Sequence, residues 1–142
     1  MGITDIHRRA VSGSCVLLLA FAVSSCEAQR PAPSEIKLEI IIKEDGTKVS
    51  AQYTLECSGE QAMNSSTLPD AAAACARLNQ QPSLAAPSLD PAAACTEIYG
   101  GPQRAEVSGT VNGQPIDAEF SRTNGCLISQ WNDVEFLINS GL

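Results

Sequence analysis

Histidine occurs once in this chain of 142 residues, as His7. Beyond that position no imidazole can activate a serine or a cysteine, which removes the usual nucleophilic hydrolase arrangements. Aromatic residues make up only 4%, so any core must be built mostly from aliphatic side chains. Beyond Arg8-Arg9, lysine and arginine do not cluster, and the formal charge is −7. Phosphate backbones are bound by grouped cations, so a nucleic-acid partner is not expected. No glycine-rich loop of the phosphate-cradling kind is present. No pair of carboxylates stands apart as an acid–base couple; Asp117 and Glu119 alternate on what reads as an exposed strand face. These absences speak against an enzyme and against a bound cofactor.

Long apolar runs are also missing. Residues 11–25 are too short and too interrupted for a spanning helix. They read instead as part of a signal sequence over residues 1–25. His7, Arg8 and Arg9 form its basic start, and residues 16–23 form its apolar centre. It ends in Val23-Ser24-Ser25-Cys26, which resembles the bacterial lipobox. That resemblance implies cleavage before Cys26 and attachment of a diacylglyceryl group to its thiol. The expected product is an exported lipoprotein on the outer face of the cell membrane, or otherwise a secreted protein. It would carry seven basic and fifteen acidic residues, a formal charge of −8. Residues 26–34, polar and proline-containing, read as a tether. Residues 35–142 read as the folded domain.

Of the six cysteines, Cys15 belongs to the expected signal and Cys26 to the lipid. Cys57, Cys75, Cys95 and Cys126 remain, an even number that implies two disulfides in an exported domain. Four cysteines allow three pairings, and spacing does not choose among them. Their gaps are wide, unlike the close pairs of zinc sites, and no metal is expected.

Residues 35–43 alternate, with Ile36, Leu38, Ile40 and Ile42 on one face, as in a half-buried strand. Asp45-Gly46 signals a turn. Val49, Ala51, Tyr53, Leu55 and Cys57 then give the inward face of a second strand, and residues 58–69 read as loop. Asn64-Ser65-Ser66 matches a glycosylation sequon, taken here as chance. Asp70 can cap a helix through the alanines to Leu78, with Pro82 ending it. A proline-rich connector follows, with room for one helical turn at residues 90–94. Ala105, Val107, Gly109 and Val111 lead into Asn112-Gly113, the best hairpin signal in the chain. Ile116, Ala118 and Phe120 return, and Val134, Phe136 and Ile138 suggest a final strand. The expected class is α+β: a five-stranded antiparallel sheet, one main helix packed on it, and two disulfides. Trp131 reads as a lid on the core.

The stretch Cys95-Thr96-Glu97-Ile98-Tyr99-Gly100-Gly101-Pro102 resembles the reactive loop of the Streptomyces-type subtilisin inhibitors. Leu55-Glu56-Cys57, Ala73-Ala74-Cys75-Ala76-Arg77-Leu78 and Thr123-Asn124-Gly125-Cys126 are similar to other parts of that family. The resemblance implies bridges Cys57–Cys75 and Cys95–Cys126. It implies inhibition of a serine protease through Thr96, Glu97, Ile98 and Tyr99. Glu97 would be the primary specificity residue, Ile98 would follow the scissile bond, and Asn124 is a candidate to brace the loop, or a turn-former beside Gly125. An acid at the primary position points to a glutamate-preferring enzyme. Gly100-Gly101 add length and freedom before Pro102. The competing reading is a non-inhibitory envelope module, binding or structural, that keeps only the fold. The loop separates the two: an ordered, protruding loop favours inhibition, and a collapsed one favours the module.

Overall fold

The computed structural model describes residues 32–138. The expected signal, the lipobox, Cys26 and most of the tether lie outside the described residues. Strand β1 (Glu35–Lys43) is central in a five-stranded antiparallel sheet. It pairs with β2 (Ala51–Ser58) on one side and β4 (Arg104–Val111) on the other. Short β3 (Gln61–Ala62) borders β2, and β5 (Gln114–Ser121) borders β4, giving the order β3-β2-β1-β4-β5. The alternation of β1 is realised: Ile36, Leu38, Ile40 and Ile42 are buried, while Glu35, Lys37 and Glu39 are exposed. Fully burying one such aliphatic side chain contributes roughly 1.5–3 kcal/mol.

Helix α1 (Ala71–Gln80) covers this inward face with Ala74, Cys75 and Leu78. Small alanines let the helix approach the sheet closely, and the Cys57–Cys75 disulfide joins it to β2 at a Cα separation of 5.7 Å. Asp70 holds the cap position but its side chain makes no cap hydrogen bond; its backbone is left-handed, with φ 53°. The chain leaves α1 at Gln81 and makes a short 3-10 turn over Pro82–Ala85. At residues 90–94 there is a single turn and no helix, with the Ala93 amide donating to the Asp90 carbonyl.

The tip between β4 and β5 has positive φ at both Asn112 and Gly113, the geometry of a two-residue hairpin turn. Val49, expected to face inward, lies before β2 and is 57% exposed.

The expected last strand is helical. Helix α2 (Gly125–Asp133) runs into α3 (Glu135–Ile138). Val134, Leu137 and Ile138 are buried, whereas Phe136 is only partly so. Alternation would have placed Phe136 inside and Leu137 outside; the observed spacing of three and four is one helix face. The fifth strand is instead β3, in the segment expected to be loop. Among the described residues no helix is long and apolar enough to cross a membrane.

Candidate functional site

Residues 95–101 form a loop with an exposed crest and two fastened legs. The first leg is held by the Cys95–Cys126 disulfide, with a Cα separation of 5.3 Å. Next to it the Gly125 amide donates to the Thr96 carbonyl at 2.9 Å. The second leg is held where the Gly100 amide donates to the Arg122 carbonyl at 2.7 Å. Both legs therefore rest on one short segment, residues 122–126, which runs from the end of β5 into the first turn of α2. Glu97, Ile98 and Tyr99 lie between the two hydrogen bonds and all three are exposed. Ile98 is 61% and Tyr99 64% exposed, so two large side chains face solvent side by side instead of joining the core.

The support segment is shaped by the start of α2. Asn124 is its N-cap, and its Oδ1 accepts from the Leu127 amide at 2.9 Å. Of the two readings of Asn124, loop brace or turn-former beside Gly125, the structure favours the second: its oxygen caps the helix, and its amide nitrogen makes no hydrogen bond to the loop among the described residues. The bracing group is the amide of the next residue. The first amides of a helix have no acceptor within it, and here the Thr96 carbonyl supplies one for Gly125.

Gly100 and Gly101 do not leave the loop free. A Cβ on Gly100 would lie 3.0 Å from Ile128 Cδ1 and 3.3 Å from Arg122 Cβ, so its bare Cα fits closely on the support. Gly101 makes the turn into Pro102 at φ 135°. Beneath the support, Trp131 is 4% exposed, with the Arg122 guanidinium 6.0 Å from its ring centroid. Trp131 is thus part of the core lid, as its sequence context led us to expect. Arg104 pairs with Glu119 and Lys43 with Glu106 on the sheet surface. Asp117 is exposed beside them.

The two disulfides have the pairing that the resemblance implied, and bridges of this kind fit an exported protein in an oxidising setting. Among the described residues no group of three or more His, Cys, Asp or Glu side chains could hold a metal ion. Arg122, Gly125 and Ile128 were not singled out as functional from sequence. The one available signal was a glycine beside a bridged cysteine. Compared with protein families and with curated proteins, the chain matches no family model and no curated protein.

Proposed function

We propose that this protein is an exported serine protease inhibitor, similar to the Streptomyces-type subtilisin inhibitors, with Glu97–Ile98 as its scissile bond. The observation that supports this reading best is the exposed run Glu97-Ile98-Tyr99 held between two backbone hydrogen bonds, with one leg bridged by a disulfide. An exposed extended loop can add to an enzyme as a strand and place one side chain in its specificity pocket. A loop already ordered loses little entropy on binding.

The enzyme's serine would attack the Glu97 carbonyl. The bond to Ile98 then breaks, and the proton taken from the serine passes to the Ile98 nitrogen. With both legs fastened to residues 122–126, the new amine stays beside the acyl-enzyme. It re-attacks the ester, restores the peptide bond and returns the proton to the serine.

Glu97 sets the class of target. A carboxylate entering a pocket needs a cationic partner there, or its desolvation repels the complex. The target is accordingly a glutamate-preferring serine protease. Lipidation at Cys26 would hold the inhibitor at the outer face of the cell membrane.

A protease panel assayed against the processed protein tests the reading. A glutamyl endopeptidase should be inhibited better than subtilisin. Glu97→Met or Glu97→Leu should reverse the order by about ten- to a hundredfold, since burying the apolar side chain gains roughly 1.5–3 kcal/mol. If neither wild type nor the Met variant inhibits any protease, and Glu97–Ile98 is not cut even slowly, the inhibitor reading fails. A non-inhibitory envelope module would then account for the fold.

A further inference from the structure

The loop is fastened by main-chain groups, and one of them is available only because its residue has no side chain. A Cβ placed on Gly125 would overlap Thr96 Oγ1, and would also lie 3.4 Å from Thr96 Cβ and 3.6 Å from Thr96 N. Threonine is stiff about χ1, so the hydroxyl cannot step aside freely. The Gly125 amide, meanwhile, is at the first position of α2, where helix geometry leaves it without an internal acceptor. Its 2.9 Å bond to the Thr96 carbonyl is therefore both unopposed by the helix and dependent on a bare Cα.

We propose that Gly125 is the positioning residue of the loop: its amide fixes the Thr96 carbonyl, and its missing side chain lets the support close on Thr96. The consequence for inhibition rests on the reading of Glu97–Ile98 as the scissile bond. Thr96 immediately precedes Glu97, so Gly125 governs where the acyl side sits. Arg122 governs the amine side through Gly100. The two ends of a cut loop are held in register by a segment of five residues, 122–126, which the Cys95–Cys126 bridge ties to the first leg.

Amide hydrogen exchange and inhibition, measured on the processed full chain, test this together. In wild type the amides at positions 100 and 125 should be protected relative to those of Ile98 and Tyr99. Gly125→Ala should speed exchange at both positions, weaken inhibition about tenfold, as loss of one hydrogen bond would, and raise the rate of cleavage at Glu97–Ile98. Thr96→Ala combined with Gly125→Ala removes the overlapping hydroxyl and should recover protection and inhibition to the level of Thr96→Ala alone. A merely destabilising substitution at position 125 would not be rescued by Thr96→Ala. An unprotected amide at position 125 in wild type, a measurement that needs no variant to fold, would overturn the proposal. So would a Gly125→Ala variant with wild-type exchange and inhibition. Protected amides that respond to Gly125→Ala, in a wild type that inhibits nothing, would support the positioning role and sink the inhibitor reading instead.

Discussion

Gly46 and Pro102 meet at the far end of the first hairpin. A Cβ on Gly46 would sit 2.5 Å from the Pro102 carbonyl oxygen, and the Gly46 backbone has φ 79°. The hairpin tip and the exit of the loop thus close on each other with no room for a side chain. Gly46→Ala should lower stability by about 1–3 kcal/mol, from the left-handed backbone and the overlap with a carbonyl together. Urea unfolding followed by fluorescence of Trp131, the single tryptophan, measures it. A change below about 0.5 kcal/mol, the size of an ordinary surface substitution, would contradict the contact.

The two N-cap positions should respond differently. Asn124 makes its cap bond to Leu127, so Asn124→Ala should cost about 1 kcal/mol. Asp70 makes none and sits at φ 53°, so Asp70→Gly should be neutral or stabilise by up to roughly 1 kcal/mol. Thermal unfolding of the pair decides it, and equal losses at both positions would refute the distinction.

The disulfides differ in access. Cys57 and Cys75 are 2% and 0% exposed, while Cys95 and Cys126 are both partly exposed. Graded reduction followed by alkylation and mass mapping should label Cys95 and Cys126 first. Replacing Cys57 and Cys75 together by Ala should cost about 2–4 kcal/mol. Preferential labelling of Cys75 would show that α1 leaves the sheet more readily than this packing allows.

Asp45 carries the acid response of the hairpin tip. Its carboxylate accepts from the backbone amides of Lys48 and Thr47, each at 2.8 Å, and these bonds hold its pKa below the ordinary value of 3.8. A depressed folded pKa contributes stability that is fully present above the unfolded value and lost as pH falls through the folded one. The Lys48 amide resonance should therefore shift with a midpoint below 3.8. Asp45→Asn should keep the amide bonds and abolish the transition. A midpoint at or above the ordinary value would show that the bonds are not formed in solution.

How much of this was legible in the sequence depended on whether one reading or two fitted the residues. In β1 the branched residues at 36, 40 and 42, with Leu38, alternate with Glu35, Lys37 and Glu39, and no helical face competes. At the C-terminal side, Val134 and Ile138 serve both a period of two with Phe136 and a helix face with Leu137. Trp131 in the preceding turn and the cap at Asn124 decide for the helix, and both depend on α2 being present. Strand β3 has two residues and carries no period at all. In the loop, the exposed residues 96–99 were legible as a motif. The Cys95–Cys126 support was implied by the resemblance; the hydrogen-bonded supports were not legible, because the amide of Gly125 and the carbonyl of Arg122 are groups that every such residue possesses.

The central position of β1 separates the entry of the chain from the loop. Near Glu35, at the start of β1, the Ser34 carbonyl receives the Gly59 amide and the Glu35 carbonyl receives the Asn112 amide. At its other end Lys43 is opposite Arg104, where the loop rejoins the sheet. Nine residues of strand put about 26–27 Å between the two ends. Ser34 and the point where the loop rejoins the sheet thus lie at opposite ends of β1. A bulky group attached at Ser34 therefore sits at the end of β1 away from the leg that carries the exposed Ile98 and Tyr99 back into the sheet.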